Sequence, residues 1–211
     1  MALLQVALDF LSLEKALDVA ALTKTYVDII EAGTPLIKSE GIKVVDTFRK
    51  KFHDKQIFAD LKIMDTGALE ARMAFDSGAD MVSVCGQASI ETIEEAIKET
   101  RKWNKKVVVD LIGSKYCTLR SKELRHLSPD YFCIHTSIDE QVKGKKSFKG
   151  LEEFSRENLP FCIAGGISPE DIPLIMPFKP SIVIVGGYIT KAENPGEAGR
   201  IIKEAIDRRG T

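Results

Sequence analysis

A surplus of charge of either sign is the first thing that this sequence lacks. Its 30 lysine and arginine residues nearly balance its 31 aspartate and glutamate residues, which leaves a formal net charge of −1. Proteins that bind nucleic acid or anionic membranes usually carry a basic surface. Neither partner is therefore expected, and small molecules are the more natural ligands.

Long apolar segments are absent as well. No uninterrupted apolar run reaches the ~18 residues of a membrane-spanning helix. The N-terminal apolar run stops at Asp9, and no basic segment precedes it. The residues thus show neither a membrane anchor nor a secretion signal. We expect a soluble, cytoplasmic protein.

Cysteine is scarce and its spacing is uninformative. None of the four cysteines forms a C-x-x-C pair, and three of them fall in apolar strand-like runs, where a thiol behaves as a small hydrophobe. They are Cys85, Cys117, Cys133 and Cys162. We expect reduced thiols in the core rather than a redox or thiolate-metal site.

Eight short apolar runs recur along the chain at nearly even spacing. Each is rich in Val, Ile or Phe and too short for a helix, as expected for parallel strands that are covered on both faces. The predicted strands span Leu3–Leu8, Val27–Ile30, Ile57–Ile63, Met81–Val84, Val107–Ile112, Tyr131–Ile134, Phe161–Ala164 and Ile182–Val185.

Amphipathic segments with helix-start signals lie between these strands. A Ser, Thr or Asn cap satisfies free amides, and Pro in the first turn fixes the backbone angle. Such signals occur at Ser12, Thr34, Thr66, Ser89, Ser168 and Asn194. The alternation predicts an α/β protein, a (β/α)8 TIM barrel that forms a single domain over residues 1–211. An open doubly wound sheet is the alternative.

The third predicted strand carries the most informative residues. Asp60 and Lys62 interrupt its apolar run, and Asp65 follows directly. A buried charge costs several kcal/mol of stability unless it is paired with an opposite charge or has a function at a site. Because side chains alternate along a strand, the acid and the amine share one face. We therefore predict a site here, and a loop can carry Asp65 toward this site or toward that of a neighbouring chain.

Carboxylates at neighbouring strand ends point to a metal. Active-site residues of (β/α)8 barrels lie at the C-terminal ends of the strands, where Glu31 and Asp60 meet. Oxygen ligands suit a hard divalent ion, most naturally Mg²⁺, which can stabilise the enediolate of a phosphorylated ketose. Alternatively, the two acids simply neutralise Lys62. Asp9 and Asp110 also end strands, and loop polarity explains either one alone equally well.

Of the three histidines, only His135 ends a predicted strand. His53 and His126 fall in basic helical surroundings. Imidazole titrates near neutrality, so His135 can take a proton from a carbon atom and return it. A structural histidine is the other interpretation, but its position at the same rim as the acids favours catalysis.

Glycine pairs follow the last two strands. Gly165-Gly166 precedes the predicted cap Ser168, and Gly186-Gly187 ends the eighth strand. Such pairs let backbone amides approach an anion, and this barrel commonly binds phosphate there. Single pairs also form plain tight turns. Two pairs on adjacent strands favour a phosphorylated ligand, whereas the lack of a Walker lysine or an early GxGxxG gives no support to nucleotide binding.

Taken together, these residues resemble the orotidine-5'-monophosphate decarboxylase superfamily of barrels, whose D-x-K-x-x-D signature matches Asp60, Lys62 and Asp65. Glu31 replaces the lysine of the metal-independent decarboxylase and indicates the metal-dependent branch. Within it, the segment 135–141 resembles the family of 3-hexulose-6-phosphate synthases. The segments 4–9 and 185–191 are also similar to that family, so the resemblance spans almost the whole chain.

The resemblance implies an aldol reaction that interconverts D-ribulose 5-phosphate plus formaldehyde and D-arabino-hex-3-ulose 6-phosphate. It implies that His135 moves the proton at C1. It implies further that Mg²⁺ on Glu31 and Asp60 holds the enediolate, while Lys62 hydrogen-bonds the same oxygens. Asp65 is implied to reach the partner's active site across the interface of a homodimer.

The resemblance also implies how the sugar phosphate is held. Asp9 would bind a sugar hydroxyl. The phosphate would lie on the backbone amides of Gly165, Gly166, Gly186 and Gly187. Many superfamily relatives have an arginine where Gly187 stands, and Lys191 is the candidate to replace its charge.

Three other functions are weighed against this one. A 3-keto-L-gulonate-6-phosphate decarboxylase would use the same enediolate, but such enzymes usually have an arginine where Ile138 stands. A ribulose-phosphate epimerase needs several metal-binding histidines, and only His135 is available. A non-catalytic sugar-phosphate-binding protein predicts loss of a charged site residue, and all are present.

Overall fold

A computed structural model describes residues 2–144, 146, 148 and 150–208, so both ends of the predicted domain, residues 1 and 211, lie outside the described residues. Eight strands form a closed barrel in chain order, which confirms the (β/α)8 prediction over the open sheet. The strands are β1 (Leu3–Leu8), β2 (Ile29–Ala32), β3 (Gln56–Ile63), β4 (Met81–Cys85), β5 (Lys106–Asp110), β6 (Tyr131–His135), β7 (Phe161–Ala164) and β8 (Ile182–Val185).

Parallel pairing brings the C-terminal ends of all eight strands to one rim. β1 closes the barrel, because Gln5 lies opposite Ile29 of β2 on one side and opposite Ile184 of β8 on the other. The remaining ladders are parallel as well. Polar residues that end different strands therefore lie within reach of one another.

The predicted bounds hold for β1, β7 and β8 and differ elsewhere by a few residues. β2 begins at Ile29 rather than at Val27 and runs to Ala32, so Glu31 lies inside the strand. β5 ends at Asp110, although Leu111 beyond it is fully buried. In both places the apolar run of the sequence indicates which residues are buried. The buried residues extend beyond those that form the hydrogen-bonded strand.

Eleven α-helices occur in the part of the chain that the structure describes. They are α1 (Leu13–Thr23), α2 (Thr34–Glu40), α3 (Lys43–Lys51), α4 (Gly67–Asp76), α5 (Ile90–Lys102), α6 (Cys117–Leu124), α7 (Ile138–Val142), α8 (Leu151–Ser155), α9 (Ile172–Ile175), α10 (Gly187–Thr190) and α11 (Pro195–Asp207). Short 3₁₀ turns follow α6 at Arg125–Leu127 and α9 at Met176–Phe178.

Three of the predicted helix starts are confirmed by their caps. The side chains of Ser12, Ser89 and Asn194 each accept a hydrogen bond from the backbone amide three residues further on. Thr66 occupies the cap position of α4 but makes no such bond.

Two predicted starts are wrong in detail. Thr34 is the first residue of α2 rather than its cap, and its hydroxyl bonds to Asp60 instead. Ser168 lies four residues before α9, which begins at Ile172, and its hydroxyl and amide both donate to the carboxylate of Asp171.

The core has two layers. A large apolar cluster fills the space between the strands and the surrounding helices. A smaller one, with residues such as Ile29, Phe58 and Met81, comes from alternate strand positions and fills the barrel interior. All four cysteines are free; Cys85, Cys133 and Cys162 are buried, as predicted for core thiols, and Cys117 is half-buried. No helix among the described residues has the length and apolarity to cross a bilayer.

Candidate active site at the mouth of the barrel

A cavity of about 670 Å³ opens at the C-terminal ends of the strands. Nine of the ten site residues predicted from the sequence line it, whereas Asp65 does not. The nine are Asp9, Glu31, Asp60, Lys62, His135, Gly165, Gly166, Gly186 and Gly187. The structure therefore brings together residues that are widely separated in the chain.

The backbone of β3 is irregular where it carries Lys62. The register with β4 shifts between Ala59 and Ile63, and Lys62 has a φ of 47°, in the left-handed region that a lysine rarely adopts. The amide of Lys62 donates to Ser83 Oγ at 2.8 Å, which holds this conformation. Lys62 and Asp60 do share one face, but through this irregularity rather than through regular alternation alone.

Asp60 is held by hydroxyl groups from two neighbouring elements. Ser83 Oγ donates to its Oδ1 at 2.7 Å, and Thr34 Oγ1 donates to its Oδ2 at 2.8 Å. Lys62 Nζ lies 2.7 Å from the same Oδ2. Sequence reasoning missed Ser83, although a lone polar residue inside the apolar run of β4 is the same kind of signal that singled out Asp60.

Asp110 joins Lys62 to His135. Its Oδ2 accepts from Lys62 Nζ and from His135 Nδ1, each at 2.9 Å. Burial alone would raise the pKa of Asp110, but the charges and hydrogen bonds of His135 and Lys62 outweigh it and lower the pKa well below its ordinary value. Likewise, Asp60 and Asp110 outweigh the effect of burial and raise the pKa of Lys62. The carboxylate and the ammonium therefore both stay charged.

Glu31 is a buried carboxylate with few partners. Gln5 Nε2 donates to its Oε2, while the Oε1 of Gln5 is buried and makes no hydrogen bond among the described residues. Burial and the negative charges of Asp60 and Asp9 raise the pKa of Glu31 well above its ordinary value. The same causes, burial and Asp60, raise the pKa of Asp9. This surplus of carboxylate oxygens fits a hard cation.

Asp9 lies against Gly33, where there is no room for a side chain. A Cβ atom on Gly33 would lie 2.2 Å from Asp9 Oδ1, so a larger residue there would expel the carboxylate. Gly186 approaches the other oxygen, with its Cβ position 4.0 Å from Asp9 Oδ2. The side chain thus lies between the carboxyl ends of β2 and β8, at the edge of the cavity.

The two glycine pairs line the cavity at the carboxyl ends of β7 and β8. Gly165 and Gly166 have φ values of 108° and 68°, and a Cβ on Gly165 would lie 2.4 Å from the carbonyl oxygen of Thr136. Gly186 caps the short helix α10, which begins at Gly187. A Cβ on Gly187 would lie 3.9 Å from Lys191 Cε, in ordinary van der Waals contact, so the lysine stem runs beside position 187.

Asp65 remains outside this cluster. It is exposed, and its carboxylate accepts from the amide of Thr66 at 2.7 Å. Exposed apolar side chains surround it in the chain, namely Met64, Leu69 and Met73. Its predicted role in a partner's site stays a prediction.

The fold and the charged rim define a (β/α)8-barrel enzyme that works at the C-terminal ends of its strands. The chain belongs to the orotidine 5'-phosphate decarboxylase / HUMPS family, whose sequence model matches residues 2–202.

Individual members of this family are similar along nearly the whole chain. The 3-hexulose-6-phosphate synthase of Mycobacterium gastri is 42% identical over 204 residues, which cover 96% of this chain and 99% of the relative. The solved 3-hexulose-6-phosphate synthase of Salmonella typhimurium is 34% identical, with a TM-score of 0.95 and 98% and 99% of the two chains covered. A solved 3-keto-L-gulonate-6-phosphate decarboxylase of Vibrio cholerae is 32% identical, with a TM-score of 0.87 and 98% of each chain covered.

Proposed function

We propose that this protein is a 3-hexulose-6-phosphate synthase, which joins D-ribulose 5-phosphate and formaldehyde to give D-arabino-hex-3-ulose 6-phosphate, or cleaves it in reverse. The observation that carries the proposal is the hydrogen-bonded line from Asp60 through Lys62 and Asp110 to His135. The similarity to synthases over nearly the full length supports it. We propose further that residues 1–211 form one barrel domain. We also propose that the protein works in the cytoplasm, where reducing conditions suit its free cysteines.

His135 is proposed as the acid and base. Because the ionised Asp110 accepts from Nδ1–H, the neutral ring presents a proton-accepting Nε2. This nitrogen takes the proton from C1 of the pentulose phosphate, and the electron pair moves to give an enediolate. C1 then adds to the carbon of formaldehyde, and the new alkoxide takes the proton from the imidazolium.

Lys62 is proposed to stabilise the enediolate. Its raised pKa keeps it an ammonium group, so it serves as a hydrogen-bond donor rather than as a base. The ammonium group lies between Asp60 and Asp110, which fix its direction before the substrate arrives. Preorganised charge of this kind stabilises developing negative charge more strongly than water does.

Mg²⁺ is the proposed cofactor, with Glu31 and Asp60 as its protein ligands. The fit rests on the surplus of carboxylates at the rim and on the raised pKa of Glu31, both of which a divalent cation would relieve. When bound, such an ion supplies Lewis-acid stabilisation of oxyanions. Asp60 already accepts from Thr34 and Lys62, so these two donors set the position of its oxygens.

The phosphate is proposed to lie against the two glycine pairs. All four glycines line the cavity without side chains that would keep an anion from the backbone, and Lys191 adds a positive charge beside Gly187. Asp9 also lines the cavity, beside Gly186, and is placed to accept hydrogen bonds from sugar hydroxyl groups. The substrate would thus lie in the cavity with C1 toward His135.

A homodimer is proposed as the working unit, with Asp65 completing the site of the partner. The proposal rests on the family resemblance together with the exposed position of Asp65 among Met64, Leu69 and Met73. An exposed apolar patch next to a charged residue is typical of an interaction surface.

The alternative is a 3-keto-L-gulonate-6-phosphate decarboxylase, because a solved enzyme of that name is also similar. Ile138 argues against it. This residue is the first of α7, is 60% exposed and lines the cavity, so an apolar side chain stands where those decarboxylases usually carry arginine. The site thus offers a small apolar surface beside His135, which suits formaldehyde better than a carboxylate.

The test measures formaldehyde consumption by the purified protein with D-ribulose 5-phosphate, with Mg²⁺ and again with excess chelator. Consumption that requires Mg²⁺ is the expected result. Untouched formaldehyde together with release of carbon dioxide from 3-keto-L-gulonate 6-phosphate would establish the decarboxylase instead. Inactivity on both substrates would return the non-catalytic sugar-phosphate-binding protein to consideration.

A further inference from the structure

A second candidate metal site lies in the same cavity. One ligand atom from each of Asp110, Cys133 and His135 lies within 4.8 Å of the other two. Cys133 and His135 are two residues apart on β6 and face the same side, and Asp110 comes from the adjacent β5. All three residues line the cavity, so an ion could reach them from the mouth.

The donor set differs in kind from that of Glu31 and Asp60. A carboxylate, a thiol and an imidazole are the ligands that Zn²⁺ and Co²⁺ favour, whereas Mg²⁺ prefers oxygen alone. Three protein ligands with a cavity in front also match zinc sites that keep one position open. We propose that Asp110, Cys133 and His135 bind a borderline divalent ion such as Zn²⁺, and that this ion blocks the enzyme by occupying His135.

Three features of the site set the strength of this binding. Lys62 Nζ lies 2.9 Å from Asp110 Oδ2 and opposes a second positive charge. His135 Nδ1 must give up its bond to the same oxygen if it is to coordinate through that nitrogen. The ion must also displace the thiol proton of Cys133, so binding releases a proton and strengthens as the pH rises. We therefore expect reversible binding rather than a permanently held structural ion.

The neighbouring strand provides a matched control for Cys133. Cys162 lies opposite it in the ladder between β6 and β7, and both are buried. Only Cys133 of this pair lines the cavity. Cys85 donates its Sγ–H to the carbonyl oxygen of Lys62 and is thus engaged elsewhere.

The first test titrates Co²⁺ alone into the metal-free protein and follows the ultraviolet thiolate-to-cobalt charge-transfer band. We expect the band in the wild type and in Cys162→Ala, and its loss in Cys133→Ala. A band that survives in Cys133→Ala, or its absence in the wild type, overturns the site. Thermal unfolding verifies that each variant folds; should Cys133→Ala not fold, Cys133→Ser must show the same loss, because oxygen gives no such band.

The inhibitory part rests on the proposed function and is measured separately. Zn²⁺ should suppress formaldehyde consumption while Mg²⁺ is in large excess. Cys133→Ala should raise the Zn²⁺ concentration for half-inhibition by at least about 10- to 100-fold, the loss typical of a disturbed metal site. An unchanged concentration overturns the inhibition. Failure of the proposed function would instead appear as no formaldehyde consumption in any sample, with the cobalt band intact.

Discussion

Asp110, which is buried, and His135, which is half-buried, form a hydrogen-bonded pair, with 2.9 Å between the carboxylate Oδ2 and the ring Nδ1. The pair sets the direction of the imidazole, and the ionised carboxylate favours the tautomer whose Nε2 accepts a proton. The same oxygen accepts a second bond from Lys62 Nζ, which connects the base to the group that would stabilise the product of deprotonation.

Asp110→Asn should therefore impair proton transfer more than binding. An amide can donate to Nδ1 and favour the wrong tautomer, so we expect kcat to fall by about 100-fold or more. KM for the pentulose phosphate should change little. Steady-state kinetics and solvent exchange of the C1 proton test this, with Asp139→Asn on α7 as an exposed control. Equal activity of the two variants would contradict the role.

Ser83→Ala tests the hydrogen bonds that hold the backbone of Lys62 and the carboxylate of Asp60. Its hydroxyl accepts from the Lys62 amide and donates to Asp60 Oδ1, so the change leaves a strained backbone and a buried carboxylate each short of one bond. We expect a loss of about 1–3 kcal/mol in the free energy of unfolding together with a lower kcat. Urea denaturation and kinetics measure both quantities.

Ser121→Ala is the matched control for that variant. Ser121 is equally buried, and among the described residues its hydroxyl bonds only to the carbonyl oxygen of Thr118, away from the cavity. It should lose stability without losing kcat. If both variants lower kcat to the same extent, Ser83 has no special connection to Lys62.

Part of this site could be predicted from the sequence, for a physical reason. Burying an acid or a base within an apolar run costs free energy, so Asp60 and Lys62 indicated the site. His135 was added because active-site residues of (β/α)8 barrels lie at the C-terminal ends of the strands. The positive φ of Lys62 and the bonds from Ser83 and Thr34 arise only when three elements meet. No local pattern encodes such contacts.

The fold was more predictable than its details. Strands covered on both faces need continuous apolar runs, which is why all eight could be found. Their ends were less certain, because Leu111 is buried beyond β5 just as strand residues are. Asp110 was identified as a strand end, but its bonds to Lys62 and His135 depend on how β3, β5 and β6 are arranged around the barrel.

The raised pKa of Glu31 predicts how stability depends on pH. Because the folded pKa exceeds the ordinary value of 4.5, the folded state binds more protons than the unfolded state between the two values. This residue therefore makes the free energy of unfolding decrease as the pH rises from its ordinary pKa of 4.5 through its raised pKa in the folded protein. Mg²⁺ should reverse the decrease, since it neutralises the carboxylate.

Denaturation of the metal-free protein at several pH values, with and without Mg²⁺, measures this effect. Glu31→Gln is the control, because it cannot ionise and should remove both this part of the slope and most of the gain from Mg²⁺. It should also weaken Mg²⁺ binding by at least about tenfold. A slope and a metal response like those of the wild type would exclude Glu31 as a ligand.

Lys191→Met should weaken binding of the sugar phosphate. Its stem lies beside Gly187, where it adds charge to the glycine-lined wall of the cavity. We expect KM to rise about 10-fold with a smaller change in kcat, since a bond to a charged group contributes about 1.5–3 kcal/mol. Lys179→Met, in the turn after the Met176–Phe178 segment, is the control.

A second substitution makes this prediction sharper. Gly187 has open space around its Cβ position apart from the Lys191 stem, so Gly187→Arg should be tolerated. In the Lys191→Met background it should restore phosphate affinity, because it returns a cation to the same place. A double variant that binds no better than Lys191→Met would show that charge at this wall is not what Lys191 provides.

Asp65 allows a test of the proposed dimer that depends on two inactive proteins. If each site takes Asp65 from the partner, then Asp65→Asn and His135→Ala should each be nearly inactive. Mixing them should restore activity, because the mixed dimer contains one site with both native residues. His135→Ala mixed with Asp110→Asn is the control and should stay inactive, since both changes lie within the site of their own chain. Native mass spectrometry follows subunit exchange, and exchange without restored activity would contradict a shared site.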